Sequence, residues 1–120
     1  MQRITDEYMQ EMLKTTKPYT MVILHRTPKR DEPGADEIVW EHGRRNFELR
    51  REGVLCIVGQ VVRDDSDVAG FCVFSIDTEK TREVMEGDPA VRAGIFVYET
   101  HLIQSFPGDA LTFTGLRGSY

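Results

Sequence analysis

Short apolar runs recur along the chain, and polar stretches separate them. Each run is too short for a buried helix and is rich in β-branched and aromatic residues, which favour strands. Residues 63–67 combine charged and turn-forming side chains, so the second and third runs are predicted to form a hairpin. The four predicted strands cover residues 19–27, 54–62, 69–76 and 95–106.

Helices are predicted where apolar residues recur at helical spacing, or where capping residues bracket a segment. Residues 1–17 predict a helical arm, which Thr5 caps and Pro18 ends. Two more helices are predicted between the strands, each opened by an acidic or hydroxyl residue. The first covers residues 36–52, is capped by Asp36 and is ended by Gly53. The second is capped by Asp77 or Thr78 and ends at Met85.

The stretch over residues 86–94 connects the last helix to the last strand. Gly87 can adopt the left-handed conformation that ends a helix, because it has no Cβ. Asp88 stands where an N-cap is expected, and Pro89 where a first helical residue is expected. Gly94 then ends the short turn. On this pattern alone, Asp88 is interpreted as a helix cap.

The order of elements predicts the fold. After the N-terminal arm, the chain follows the order β-α-β-β-α-β, which is the ferredoxin-like arrangement. We therefore predict an α+β fold with a four-stranded antiparallel sheet and both crossover helices on one face. Residues 1–18 form the predicted arm, and residues 19–120 form the predicted α+β domain.

Both faces of the fourth predicted strand are apolar. Phe96 and Tyr98 belong to one face, and Ile95, Val97 and Ile103 to the other. Two helices can cover only one face of a sheet, so the other face needs cover from elsewhere. Two-fold dimers are the commonest oligomers, and we therefore predict a homodimer that packs sheet against sheet.

The long predicted helix divides into an apolar half and a charged half. Trp40 and Phe47 belong to the apolar half, which is expected to face the core. His42, Asn46 and Arg50 lie in the same half and form one slanted row at four-residue spacing. Polar groups are not directed toward a core without a reason. We therefore expect these three side chains to border one cavity between helix and sheet.

Composition limits the classes of function. A chain of 120 residues is one domain with a core of its own. Its net charge of −5 argues against a nucleic-acid surface, and no apolar run approaches the length of a membrane span. Its N-terminus lacks the pattern of a signal peptide. Cys56 and Cys72 lie in apolar runs, so we expect buried free thiols and a cytoplasmic location.

No pattern in the chain indicates a cofactor. The histidines His25, His42 and His101 lack the spacing of metal-ligand pairs. The chain also has no glycine-rich phosphate loop and no nucleophile elbow, so we expect no metal, nucleotide or redox cofactor. His25 could approach the site from the first strand. Glu99 and His101 could line either the site or the dimer interface, and the interface is favoured.

Several features together carry a resemblance to a known family. They are His42 in its helix, Gly53 after that helix, the hairpin over residues 54–76, and Asp88-Pro89 before Ala93-Gly94. On these features the chain resembles the YCII-related domain family over roughly residues 19–106. The resemblance implies a dimeric α/β barrel of ferredoxin-like subunits, with His42 and Asp88 facing one another in a cleft. Ala90 departs from the family, in which a bulky residue usually follows Asp-Pro, so the substrate is not implied.

The resemblance and the residues together predict a small-molecule enzyme. Relatives include a dehydrochlorinase, and the wider fold includes an isomerase, which implies lyase- or isomerase-type proton transfer. A carboxylate beside an imidazole fixes the tautomer of the ring and supports proton transfer near neutral pH. His42 and Asp88 are therefore the predicted catalytic pair.

Asn46 and Arg50 are the predicted substrate-binding residues. Arg50 could bind a carboxylate or phenolate through its fork of donors, or it could simply extend along the edge of the helix. The alternative to an enzyme is a non-catalytic small-ligand-binding or accessory domain of a homodimer. In that alternative, His42 and Asp88 have a structural or binding role only.

Overall fold

The computed structural model describes residues 2–62 and 64–113 and has an α+β fold. One unit spans Pro18–Gln104, and the first helix lies in a second unit formed by the terminal segments. None of the helices in the described ranges is long and apolar enough to cross a membrane. The elements are α1 (Asp6–Leu13), β1 (Lys17–Arg26), α2 (Ala35–Arg51), β2 (Leu55–Gln60), β3 (Val68–Phe74), α3 (Thr78–Glu86), α4 (Pro89–Arg92) and β4 (Phe96–Ser105).

The sheet has the strand order β2-β3-β1-β4. Strand β3 pairs antiparallel with β1 on one side and with β2 on the other. Cys72 therefore lies opposite Val22 of β1 and Val58 of β2. The first and last strands of the α+β unit are therefore adjacent, as in the ferredoxin-like arrangement. The predicted fold class, an α+β protein with a four-stranded antiparallel sheet, is confirmed.

The core lies between the helices and one face of the sheet. Alternate residues of β1 and β3, such as Val22 and Cys72, point toward α2 and α3 and are buried. The other face, which we call the outer sheet face, carries Met21, Ile23, His25, Phe71, Val73, Val97, Glu99 and His101. The buried core consists of Val22, Leu24, Ala35, Leu55, Cys72, Phe74, Met85, Ala90, Ile95 and Phe96.

The N-terminal helix is shorter than predicted. Thr5 caps α1 as expected, because its hydroxyl accepts a hydrogen bond from the Tyr8 amide at 3.1 Å. The helix ends at Leu13, where the hydroxyls of Thr15 and Thr16 donate to free carbonyls of the last turn. Pro18 therefore does not end the helix but lies in β1.

Helix α2 begins differently from the prediction. Gly34 is its N-cap residue, with a φ of +88°, and no side chain caps the helix there. Asp36, the predicted cap, lies in the first turn, where its carboxylate accepts a hydrogen bond from Arg30 at 2.8 Å. The left-handed turn needs a glycine, and a carboxylate in the first turn is favourable near the positive end of the helix dipole. The prediction that Asp36 caps this helix was wrong.

The buried face of α2 is also rotated relative to the prediction. Trp40 and Phe47, expected to face the core, are 70% and 66% exposed. Ala35 and His42 are buried instead, and Leu49 packs against the core. The polar residue His42 thus takes an inner position, and the two aromatic rings lie on the outer flank of the helix.

The two cysteines also differ from one another. Cys72 is buried, and burial raises the pKa of its thiol to about 12, with a smaller contribution from the Asp88 charge. Cys56, expected to be buried, is exposed. It lies in edge strand β2, where the pairing with β3 is irregular between Leu55 and Ile57. This irregularity is the physical reason that the prediction for Cys56 was wrong.

We predict that the native protein reacts with a thiol reagent at Cys56 alone. Cys72 should react only after unfolding, because it is inaccessible and stays protonated at neutral pH. Titration with 5,5′-dithiobis(2-nitrobenzoate), before and after addition of guanidinium chloride, measures both thiols. A Cys56→Ser variant should show no fast reaction, and a fast reaction of Cys72 in that variant would contradict the burial.

Candidate functional site

The turn between α3 and α4 positions the carboxylate of Asp88. Asp88 is the N-cap of α4, and its Oδ2 accepts hydrogen bonds from the amides of Ala90 at 2.9 Å and Val91 at 3.1 Å. Pro89 follows as the first helical residue, and Gly94, with a φ of +75°, ends the turn. The cap function predicted for Asp88 is confirmed. Only 2% of the residue is exposed, so the cap lies inside the protein.

The second oxygen of this carboxylate contacts His42. His42 Nδ1 lies 2.7 Å from Asp88 Oδ1, and both side chains are buried. Burial is the largest influence on the Asp88 carboxyl and opposes its ionisation. The hydrogen bond and charge of His42, with the two backbone amides, outweigh that effect and lower the pKa of Asp88. Asp88 is therefore an ionised carboxylate that can only accept from Nδ1.

Asn46 contacts the other ring nitrogen. Its amide Nδ2 lies 3.3 Å from His42 Nε2, one helical turn further along α2. An amide nitrogen is a donor only, so Nε2 accepts in this arrangement. The ring therefore carries its proton on Nδ1 and presents the lone pair of Nε2. The ring of Phe96 meets His42 edge-on, with centroids 5.2 Å apart, and fixes its orientation.

Arg45 belongs to the site, although it is not among the site residues that the sequence predicted. Its Nη1 lies 4.0 Å from Asp88 Oδ1, and its side chain is 28% exposed. A residue three positions after His42 lies on the same side of the helix, so this spacing could have indicated Arg45 from the sequence. The guanidinium adds a positive charge beside the buried carboxylate.

Gly87 makes room for that guanidinium. A Cβ at this position would lie 2.9 Å from Arg45 Nη2. The residue has a φ of −86°, so the expected left-handed conformation was wrong. A side chain at this position would require the flexible end of Arg45 to shift, so the glycine lets the guanidinium lie close to the turn.

His42 and Asn46 line a cavity of about 740 Å³ between α2 and the sheet. Its apolar walls come from both layers, and its lining also includes charged residues, among them Asp31 and Asp36. A volume of this order is typical of a small-molecule site. The apolar lining residues include Leu24, Val39, Val58 and Phe96.

Arg50 does not line this cavity. Its guanidinium lies over the ring of Phe47, 5.6 Å from the centroid, and the residue is exposed. Each four-residue step in a helix turns by about 40°, so Arg50 is rotated by roughly 80° from His42. The prediction that all three residues of the row border one cavity holds for His42 and Asn46 but was wrong for Arg50.

Two other arginines line the cavity in its place. Arg30 is paired with Asp36 at 2.8 Å. Arg26 donates from Nη2 to the carbonyl of Ser66 at 2.9 Å, and no carboxylate of the described residues forms an ion pair with it. Arg26 is therefore the cationic group of the cavity that is available to an anionic ligand.

The remaining histidines lie away from the cavity, on the outer sheet face. His25 contacts Asp67 through Nδ1 at 2.8 Å and Glu99 through Nε2 at 2.7 Å. These hydrogen bonds, first that of Asp67 and then that of Glu99, raise the pKa of His25. His101 Nε2 contacts the other oxygen of Glu99. Among the described residues, no cluster of three or more ligand side chains has a geometry that could hold a metal ion.

We predict that Asp88 contributes to the acid sensitivity of the fold. Its pKa is lowered from 3.8 in the folded state, so its stabilising effect is complete above about pH 4 and is lost as the pH falls through the folded pKa. Asp88→Asn keeps a helix cap but has no titrating group. Urea denaturation between pH 2 and 7 should show a smaller loss of stability at low pH in this variant. Identical acid profiles would contradict the lowered pKa.

Comparison with known proteins identifies the family of this chain. The family model of the YCII-related domain matches residues 10–103. Among solved structures, the chain is similar to the 5-chloro-2-hydroxyhydroquinone dehydrochlorinase TftG of Burkholderia phenoliruptrix, solved in complex with 2,5-dihydroxybenzoquinone. That similarity has a TM-score of 0.48 and 13% sequence identity, and covers 69% of this chain and 90% of that chain. No curated protein matches the chain at a significant level. Because the family model spans most of the sequence, this protein belongs to the YCII-related domain family.

Proposed function

We propose that this protein is a small-molecule enzyme that moves a proton on a ring or enol-type substrate, in a lyase- or isomerase-type reaction. One observation carries the proposal. His42, at the wall of a cavity of about 740 Å³, is held through Nδ1 by the buried carboxylate of Asp88. A histidine that is oriented by a carboxylate and borders a cavity is the usual arrangement of a general base.

In the proposed mechanism, Nε2 of His42 accepts a proton from a carbon next to a carbonyl group of the substrate. The electron pair of the broken C–H bond forms an enolate or a new C=C bond. In an isomerisation, the same proton returns from Nε2 to a different atom. In an elimination, a leaving group departs with its electron pair, and His42 then releases the proton to water. Asp88 stays ionised and stabilises the imidazolium that forms.

The other cavity residues support recognition of a small anionic ring. Arg26 can bind a carboxylate or phenolate through its free donors, in the role that was predicted for Arg50. Asn46 can release its contact with Nε2 and donate to a substrate oxygen instead. Leu24 and Phe96 provide apolar walls for the ring.

The alternative is a non-catalytic domain that only binds a small ligand. It is favoured by the contacts of the ring, since both nitrogens of His42 already have hydrogen-bond partners. In a purely binding role, Asp88 and Asn46 would hold His42 as part of the wall. The two candidates differ in whether Nε2 exchanges protons with a bound molecule.

We further propose that the protein is a homodimer packed through the outer sheet face. Val97 of β4 is 54% exposed on that face, Ile23 lies on the adjacent strand β1, and Phe71 lies opposite Ile23 on β3. Contiguous apolar surface of this kind is uncommon on monomers. The paired charges of His25 and Glu99 lie in the same face and would be buried as satisfied ion pairs.

We predict that Asp88→Asn reverses the tautomer of His42 while keeping the fold. The amides of Ala90 and Val91 require an acceptor oxygen, so the side-chain nitrogen of the new asparagine must face Nδ1 of the ring. That nitrogen donates, and the ring proton then moves to Nε2. Two-dimensional ¹⁵N NMR of the histidine rings reports the change directly. An unchanged tautomer with an intact fold would contradict the coupling of Asp88 to His42.

We predict that the reaction itself depends on the same pair. In D₂O, the protein should accelerate deuteration of the ring protons next to the ketone of 3-oxocyclohexanecarboxylate, which has a ring of cavity size and a carboxylate for Arg26. His42→Ala and Asp88→Asn should lower the rate by about a hundredfold or more. His25→Ala, outside the cavity, is the matched control and should not change it. Binding of ring ketones without any exchange would favour the non-catalytic alternative.

We predict that Val97→Glu dissociates the proposed dimer. Light scattering at micromolar concentration should give the dimer mass for the parent protein and the monomer mass for this variant, because a carboxylate cannot be buried unpaired. Leu102→Glu is the matched control, since Leu102 lies on the opposite side of the same strand and is already 70% exposed. A monomeric parent protein would rule out the proposed assembly.

A further inference from the structure

The cavity that contains His42 is continuous with a second groove on the outer flank of α2. This groove, with a volume of about 720 Å³, is lined by Trp40, Arg44 and Arg51 at its outer side. The two spaces meet along one side of the helix. The residues that line both are Arg30, Asp36, Val39, Gly43 and Phe47.

Gly43 stands at the passage between the two spaces. A Cβ at this position would meet no other described atom within 4 Å, so the neighbouring residues do not require a glycine. Its backbone is ordinary helix, and glycine destabilises a helix interior relative to alanine. The effect of the glycine is therefore to leave the passage open.

Trp40 and Phe47 form an aromatic shelf along α2, with Gly43 between them in the helix. They are 70% and 66% exposed, and they lie two helical turns apart, roughly 10 Å along the axis. Exposed tryptophan and phenylalanine side chains next to a cavity are typical of binding surfaces. The Trp40 ring offers a face on which another flat group can stack, whereas Arg50 already lies over one face of the Phe47 ring.

We propose that the substrate is elongated and occupies both spaces. Its anionic ring lies in the cavity beside His42 and Arg26, and a second flat aromatic group crosses at Gly43 and lies on the Trp40–Phe47 shelf. This inference rests on the proposed function, since it takes the cavity as the ligand site. It adds the class of substrate, a two-ring aromatic anion, and names Trp40 and Gly43 as residues that determine specificity.

The continuity of the two spaces favours one ligand over a second copy of the chain as the occupant of the shelf. The groove begins at lining residues of the cavity, and its volume of about 720 Å³ leaves ample room for one further ring system.

A pair of matched ligands tests the proposal. 4-Hydroxybenzoate has one ring and fits the cavity alone, whereas 4′-hydroxybiphenyl-4-carboxylate adds a second ring that reaches the shelf. Calorimetry should show the two-ring ligand binding about tenfold more tightly to the parent protein. Because Trp40 is the single tryptophan of the chain, only the two-ring ligand should change the fluorescence strongly.

Variants separate the shelf from the cavity. Trp40→Ala should abolish the tenfold gain and leave the Kd of 4-hydroxybenzoate unchanged, since Trp40 lines the groove but not the cavity. Gly43→Leu should weaken the two-ring ligand while raising the melting temperature, because leucine is the better helix former. Val62→Ala, another exposed apolar position, should change neither affinity.

Each outcome is decisive. If the one-ring ligand binds and the second ring adds no affinity, the elongated substrate is ruled out while the cavity remains a ligand site. If neither ligand binds, the cavity is not an anion site, and the proposed function fails together with this inference. If the Trp40 fluorescence changes with protein concentration in the absence of ligand, a second copy covers the shelf, and the inference is overturned.

Discussion

The carboxylate of Asp88 makes two sets of contacts at once, and the arrangement around it depends on both. One oxygen caps α4, and the other holds His42 of α2 at 2.7 Å. An ionised carboxylate this deeply buried is unfavourable unless both of its oxygens accept hydrogen bonds. Two amides and an imidazole supply the donors, and the guanidinium of Arg45 adds charge at 4.0 Å. The contacts therefore tie two helices of the α+β unit to one point.

This constraint determines how α2 lies on the sheet. His42 must face inward to reach Asp88, and Ala35 and Leu49 come with it because they share its side of the helix. Trp40 and Phe47 are then directed outward, despite being the largest apolar groups of the helix. The helix loses some apolar burial in this orientation. In this orientation, His42 and Asn46 form a polar wall of the cavity on one side of the helix. Trp40 and Phe47 form an exposed aromatic surface on the other side.

Much of the fold followed from local patterns. Apolar runs indicated four strands, and the order of elements indicated the ferredoxin-like sheet, because each depends on residues near one another in the chain. The caps at Thr5 and Asp88 were also predictable, since a cap is a contact over two or three residues. The predicted cap at Asp36 and the predicted helix end at Pro18 were wrong. The left-handed turn at Gly34 starts α2 earlier, and the hydroxyls of Thr15 and Thr16 close α1 after Leu13.

The sequence by itself determined the class of fold and pointed to His42, Asn46 and Asp88, because polar residues in an apolar half and a capped turn are visible without coordinates. Only the tertiary structure decided the rest. Arg45 joins the site and Arg50 leaves it because the rotation of α2 is set by packing against the sheet and by Asp88, 46 residues away in sequence. Arg26 lines the cavity from β1, and its place there also depends on contacts between segments that are far apart in sequence. Long-range contacts of this kind fix the angle of a helix, and a periodic pattern in one segment cannot specify that angle more closely than about a third of a turn.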